Sequence, residues 1–149
     1  MKKLFFAVVL FIVLTASCGS APKFSDVVGK EWKLIEVHID GKSINFDRSA
    51  LVNDGFGEIF TLTFDAEMIG GTGAPNRYSA PFTPGNKQTL TVLPARATLM
   101  APIREPEKFK EHDFFIFIQN TYEWNLVNTN LELHSKSENG AEVKLVFSL

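Results

Sequence analysis

The C-terminal stretch TYEWNLVNTNLELHSKSENGAEVKLVFSL, residues 121–149, decides the fold class. Apolar and polar side chains alternate along three segments of it, which is the period of strands that bury one face. Turn-forming residue types separate the segments at positions 128–130 and 137–140. Strands that are joined by connections this short pair in antiparallel fashion. The stretch therefore predicts an antiparallel sheet.

Three segments nearer the N-terminus carry the same alternation. In EWKLIEVHIDGK, residues 31–42, the pattern slips once between Leu34 and Val37, which predicts a β-bulge, and Asp40-Gly41 predicts a hairpin turn. In QTLTVLPARAT, residues 88–98, Pro94 is expected at the end of a strand or at a sheet edge. In EIFTLTFD, residues 58–65, one face is apolar and consists of Phe60, Leu62 and Phe64.

The segment PEKFKEHDFFIFIQN, residues 106–120, fits two structures. Pro106 suits the first position of a helix and Glu107 its N-terminal dipole, whereas the run FFIFI at 114–118 is also typical of a buried strand. We predict a helix. The chain of 149 residues has 14 Phe, which predicts a core of aromatic rings. The fold class expected is α+β: a mostly antiparallel, strongly curved or barrel-like sheet with one helix packed against it.

The first residues have the pattern of a secretion signal. Lys2 and Lys3 precede an apolar run at 4–14, which is too short to span a bilayer, and small residues then lead to Cys18. Cys18 is the only cysteine, so an intramolecular disulfide is excluded. The arrangement resembles a bacterial lipoprotein signal in which Cys18 is acylated; an ordinary secretory signal cut near Ser20 is the alternative. The expected division is 1–17 signal peptide, 18–27 lipidated N-terminus and tether, and 28–149 domain.

Four groups of residues occur in a fixed order after that signal. They are Trp32 and Leu34; the stretch GGTGAPNRYSAPF at 70–82; Thr98, Leu99, Met100 and Ala101; and Trp124, Leu126, Leu131 and Leu133. In this order and spacing they resemble the META domain, or HslJ-like family, of bacterial envelope proteins, from about residue 28 to residue 147. The family-motif residues of the loop are Gly71, Gly73, Asn76, Arg77 and Tyr78.

The chain departs from the family pattern at two positions. The family carries a cysteine in each of two motifs, and this chain has Ala74-Pro75 in the first and Pro102 in the second. We interpret the two cysteines as a pair that is lost together, and we hypothesise that the prolines stiffen the same loops by restricting φ.

Several functions are disfavoured by the residues. The formal charge is −2 and no Lys/Arg stripe is present, which argues against nucleic acid as a partner. The glycine-rich stretch lacks the Lys-Ser/Thr pair of a phosphate-binding loop, so no nucleotide is expected. The histidines, His38, His112 and His134, lack metal-ligand spacing, and no Ser lies in a nucleophile elbow. We expect no catalytic residue, no metal and no cofactor.

The expected function is therefore a binding role. The resemblance implies a membrane-anchored envelope lipoprotein with a non-enzymatic accessory or stress-response role, and Gly19 after the cysteine favours the outer membrane, facing the periplasm. The expected partners are the membrane, through the anchor on Cys18, and an envelope protein. A carrier that holds a lipid or another hydrophobic ligand in its apolar interior is the alternative, and a hydrolase is a more remote one. Within the motif, Arg77 and Tyr78 either fasten the loop or reach a ligand.

Overall fold

A computed structural model describes residues 21–101 and 105–149. In chain order, the strands and helices are β1 Glu31–Ile39, β2 Lys42–Asn45, α1 Arg48–Asn53, β3 Thr61–Phe64, β4 Met68–Thr72, β5 Arg77–Pro84, β6 Leu90–Val92, β7 Arg96–Ala97, α2 Glu111–Gln119, β8 Glu123–Val127, β9 Asn130–Lys136 and β10 Glu142–Ser148. Single 3₁₀ turns lie at Phe24–Asp26 and Asn86–Gln88.

The strands form one antiparallel sheet in the order β6-β5-β4-β3-β1-β10-β9-β8. Strand β2 pairs with β1, and β7 pairs with β5. The sheet curls until its two ends meet, where the amide of Leu90 donates to the carbonyl of Tyr122 over 2.9 Å and Gln88 donates to Asn125 over 2.8 Å. Apart from these contacts, β6 and β8 are not paired, so the curled sheet has one unsealed seam between them. The predicted fold, a curved, mostly antiparallel sheet with a packed helix, is confirmed.

The local predictions for β1 are confirmed. The register of β1 against β10 shifts between Leu34 and Glu36, where the sequence predicts a bulge. Asp40 and Gly41 both have positive φ, 49° and 72°, and they close the β1–β2 hairpin. Pro94 lies outside the strands, between β6 and β7.

Three features differ from the sequence expectation. Strand β3 begins only at Thr61, because Phe60 has a φ of 52° that breaks the extended chain. The short helix α1 has no counterpart in the sequence prediction; Asp47 caps it by accepting from the amide of Ala50 over 3.0 Å. Helix α2 begins at Glu111, so Pro106 lies outside it and is not its first residue.

Aromatic rings fill the interior in two groups. One group surrounds Phe60, whose ring centroid lies 5.2 Å from each of those of Phe109 and Phe114. Phe109 and Phe114 both come from the segment 106–120, for which the sequence predicts a helix. The run FFIFI at 114–118, which could also have been a strand, is helical.

The second ring group surrounds Phe24, whose centroid lies 5.0 to 5.4 Å from those of Phe64, Trp124 and Phe82. Val27 is also fully buried. The packed part of the chain therefore reaches back to the 3₁₀ turn at Phe24. Among the residues described, no helix has the length and apolar character needed to cross a bilayer.

Candidate functional site

The connection between β4 and β5, residues 73–76, is held by one buried carboxylate. Glu111, the first residue of α2, is 7% exposed and its Oε1 accepts from the amides of Ala74 at 2.5 Å and Asn76 at 2.6 Å. Its Oε2 accepts from Asn76 Nδ2 at 2.7 Å. Charge-assisted bonds are stronger than neutral ones, so this carboxylate fixes both the loop and its distance from the helix.

Asn76 also fastens a second loop, residues 98–101. Its Oδ1 accepts from Thr98 Oγ1 at 2.8 Å and from the Met100 amide at 2.7 Å, and its Nδ2 also donates to the Met100 carbonyl at 3.0 Å. The side-chain amide of Asn76 thus uses both of its hydrogens and both lone pairs of its oxygen. Leu99, between the two anchored residues, is 99% exposed.

Two motif glycines make room for these contacts. A Cβ on Gly73 would lie 2.6 Å from Glu111 Oε1 and 2.7 Å from the ring of Phe115, and a Cβ on Gly71 would overlap the carbonyl of Thr61. Both positions therefore require glycine, because backbone atoms at Gly71 and the Glu111 carboxylate at Gly73 occupy the space that a Cβ would take. Gly71 lies within strand β4, whereas Gly73 follows the strand and belongs to the loop.

Tyr78 fastens the motif to the sheet. The residue is 4% exposed, and its ring centroid lies 5.6 Å from that of Phe114 and 5.3 Å from that of Phe115. Its hydroxyl donates to the Thr61 carbonyl over 3.0 Å. Burial raises the pKa of Tyr78 well above its usual range, so the hydroxyl stays a neutral donor.

Arg77 differs from its two neighbours because it is exposed and lies on the outer face of the sheet. In strand β7, Arg96 pairs with Ser79, so Arg77 and Arg96 are diagonal neighbours on that face. Across the part of the chain that the structure describes, neither guanidinium has a hydrogen bond or an ion pair. Diagonal positions in an antiparallel pair lie about 7–8 Å apart, within reach of two long side chains.

These two arginines stand at one side of an open groove of about 790 Å³ that crosses the outer face from β7 to β1. Its floor consists largely of small residues, with Met68 at one end; the small residues are Thr63, Gly70, Thr72 and Ser79. Its other side carries the acidic residues Glu31, Glu58 and Asp65. Glu58 is ion-paired with Lys33 and Arg48, both at 3.2 Å, and the hydrogen bond from Lys33 holds the pKa of Glu58 below its usual value.

Two residues of this site, Glu111 and Arg96, are not predicted from the sequence. Glu111 is spaced three, four and seven residues from the apolar residues Phe114, Phe115 and Ile118, so on a helix it lies on their face. A carboxylate on the buried face of a helix needs hydrogen-bond donors, and that spacing is the signal that could have found it. Arg96 has no comparable signal, because only the β5–β7 pairing brings it to Arg77.

The remaining candidates are dispersed. His38 and His134 lie on either side of Lys144 in one row across β1, β10 and β9, and that ammonium group disfavours a bound cation between them. His112 lies elsewhere, 4.0 Å from Glu138. Cys18, the predicted lipidation site, and Pro102 lie outside the described residues.

The chain is similar to a known protein family in sequence and to solved structures in fold. The family model of the META domain matches residues 25–147. A DUF4847 family protein from Bacteroides vulgatus is similar in fold, with a TM-score of 0.53, 13% identity and coverage of 83% of this chain and 94% of that one. A protein from Burkholderia xenovorans, determined by NMR, has a TM-score of 0.56, 15% identity and 99% coverage of each chain. No curated protein sequence matches significantly.

Proposed function

The chain belongs to the META domain family, and from this premise we propose that it is a non-enzymatic binding module, lipid-anchored in the bacterial envelope through Cys18. The proposed location is the outer membrane, facing the periplasm, and the proposed role is an accessory or stress-response one. The partner is an envelope component that is recognised on the outer face of the sheet.

The outer groove is the observation that carries the binding role. It is wide, open to solvent and lined by charged and hydroxyl groups, and its two arginines have no partner among the residues that the structure describes. Arg77 lies in the family motif, while its neighbours Asn76 and Tyr78 are engaged in internal hydrogen bonds. Among Asn76, Arg77 and Tyr78, Arg77 is therefore the residue whose side chain is available to a ligand.

The same hydrogen bonds argue against catalysis at the motif. A general acid or base needs a titratable group that faces a substrate. Glu111 is enclosed by three donors from Ala74 and Asn76, and the Tyr78 hydroxyl is directed at the Thr61 carbonyl. These groups support the loops, so a hydrolase is the less favoured proposal.

The carrier alternative requires an apolar cavity inside the sheet. Ring centroids 5.0 to 5.8 Å apart connect Phe24, Phe64, Phe82 and Trp124 in one group, and Phe46, Phe60 and Phe109 in the other. Rings at this spacing are in contact and leave no room between them for an acyl chain. Native mass spectrometry that finds the protein without a bound lipid would count against the carrier, and a stoichiometric lipid adduct would favour it over the binding module.

The anchor and the partner are tested separately. Membrane fractionation of wild type and of Cys18→Ala, both expressed as the full chain, tests the anchor: the wild type should sediment with membranes and Cys18→Ala should not. Labelling with a clickable fatty acid should mark only the wild type. Equal sedimentation of the two would contradict the anchor.

Crosslinking in intact cells followed by affinity capture tests the partner, with Arg77→Gln as the groove variant and Lys42→Gln as the control on β2. We expect a crosslinked envelope component that is lost in Arg77→Gln and kept in Lys42→Gln. Capture that is equal in the two variants would contradict recognition through the groove.

A further inference from the structure

We propose that Arg77, Arg96 and Ser79 form a site at one side of the outer groove for the phosphoryl group of a soluble phosphate ester or of a lipid headgroup. The inference rests on the proposed binding role and gives it a ligand class. Two exposed guanidinium groups lie on adjacent strands and on the same face of the sheet, and neither has a counter-ion among the described residues.

The placement of the three side chains is fixed by strand pairing. Ser79 lies opposite Arg96, and Arg77 precedes Ser79 by two residues, so all three point to the outer face. The hydroxyl of Ser79 has no hydrogen bond within the described residues, whereas that of Thr98, opposite Arg77, is bonded to Asn76. The site therefore offers two guanidinium groups and one free hydroxyl donor.

The floor beside this site is open. Gly70 lies opposite Ser79 on the other neighbouring strand, β4, and it has no side chain to fill the space above the sheet. A Cβ at Gly70 would also lie 3.0 Å from the Tyr78 carbonyl, so the backbone itself disfavours a larger residue there. An oxoanion can thus approach the arginines from the groove.

The charge of the site selects a phosphoryl group over a carboxylate. Two guanidinium groups supply a charge of +2, and a phosphate monoester carries about −1.5 to −2 at neutral pH, whereas a carboxylate carries −1. Guanidinium and phosphate also match in bidentate geometry. The unrelieved repulsion between two neighbouring arginines falls when a dianion binds between them.

The acidic side of the groove limits what the rest of the ligand can be. Strands are about 4.8 Å apart, so Glu31 on β1 lies roughly 15–19 Å along the sheet from β5 and β7. This exceeds the screening length of about 8 Å at physiological salt, and the carboxylates therefore leave the arginines available. A polyanion that extended across the groove would meet Glu31 and Asp65, so the ligand has one phosphoryl end and a neutral or cationic remainder.

Isothermal titration calorimetry of the full chain in detergent tests the proposal, with inorganic phosphate, glycerol phosphate and acetate as probes at constant ionic strength. We expect saturable binding of the two phosphates that is weakened about tenfold or more by Arg77→Gln or by Arg96→Gln, since a hydrogen bond to a charged group is lost. Lys42→Gln, which removes the same charge on β2, should leave the affinity unchanged. Glu31→Gln should also leave the affinity for the two phosphates unchanged, because Glu31 lies beyond the screening length from the arginines.

A short-chain phosphatidic acid below its micelle concentration is the second source of the same group. Binding of this lipid alone, dependent on Arg77, would support the site with a lipid headgroup as its occupant; equal binding of glycerol phosphate would support a soluble ester. No binding of any phosphate, equal binding of acetate, or no effect of either arginine substitution would overturn the proposal. These outcomes do not depend on acylation or on the crosslinked partner, so the binding module can survive the failure of the phosphoryl site.

Discussion

Glu111→Gln is expected to destabilise the domain although it changes only an oxygen to an amide group. The Gln oxygen can keep the two bonds from the amides of Ala74 and Asn76, but its –NH₂ then faces the –NH₂ of Asn76. Asn76 cannot rotate its side-chain amide to accept, because that would break its bonds to Thr98 and to both backbone groups of Met100. One charge-assisted bond is lost, the two bonds that remain are made to a neutral oxygen, and the two facing –NH₂ groups leave buried donors unpaired.

A hydrogen bond to a charged group contributes about 1.5–3 kcal/mol, and an unpaired buried donor adds a penalty of about 1–3 kcal/mol, part of which is the same lost bond. We therefore expect a decrease of about 2–4 kcal/mol in the free energy of unfolding. For a slope of roughly 2 kcal/mol/M, the urea midpoint falls by about 1–2 M.

Urea unfolding followed by tryptophan fluorescence measures this change, since Trp32 and Trp124 are both buried. Glu107→Gln is the matched control, because Glu107 is exposed and outside α2, and it should change stability by less than about 0.5 kcal/mol.

The double variant Asn76→Asp/Glu111→Gln tests the geometry more sharply. The carboxylate introduced at position 76 would accept from the side-chain amide introduced at position 111, which restores a donor–acceptor pair between the two side chains. The double variant should therefore be more stable than the sum of the two single changes predicts. Additivity within about 0.5 kcal/mol, or an unchanged midpoint in Glu111→Gln, would refute the reasoning.

Three further outcomes are expected. Tyr78→Phe should lower the free energy of unfolding by about 1–2 kcal/mol in the same urea assay, because the buried Thr61 carbonyl loses its donor, and a change below about 0.3 kcal/mol would contradict this. Gly71→Ala should destabilise the domain by more than about 2 kcal/mol, since the added Cβ meets the Thr61 backbone. Gly29→Ala is the control: its Cβ would meet nothing within 4 Å, so it should cost only the strain of the positive φ and destabilise the domain less. Because the pKa of Glu58 is lowered in the folded state, its ion pairs stabilise the fold above the ordinary value near 4.5 and lose that effect as the pH falls through the folded pKa. Glu58→Gln should therefore lower stability by about 0.5 kcal/mol or less at pH 7, and the difference from wild type should shrink toward zero as the pH falls below the folded pKa. A difference that grew in acid would contradict this sign.

The strands were predictable because alternation is a local property of the sequence. The segments that became β1, β3 and β8–β10 each place apolar side chains on one face, and their turns are marked by Asp40-Gly41 and by residues 128–130 and 137–140. Helix α1 has six residues and is defined chiefly by the cap at Asp47, so no periodic pattern predicts it. The predicted start of α2 is wrong because Pro106 and Glu107 look like a first turn, whereas the buried contacts of Glu111 fix where the helix begins.

The site was only partly predictable because its contacts join distant segments. The motif residues Asn76, Arg77 and Tyr78 were recognisable along the chain, but their roles depend on partners at Glu111, Thr98 and Thr61. The hypothesis that prolines stiffen the two motif loops stays a prediction, because Pro102 lies outside the described residues. In the described part of the two loops, the Asn76 side chain joins them through three hydrogen bonds, two with Met100 and one with Thr98.

The packing of Phe24 into the core sets how far the domain can stand from a bilayer. If Cys18 carries the anchor, only residues 18–23 separate the acylated end from the packed ring, and six residues span at most about 20 Å when fully extended. A compact domain of this length is about 35 Å across, so the tether is shorter than the domain is wide. The end of the sheet that holds Phe24, Phe82 and Trp124 would then stay beside the headgroups. A partner would then meet the domain at a distance from the membrane no greater than the length of the tether plus the width of the domain.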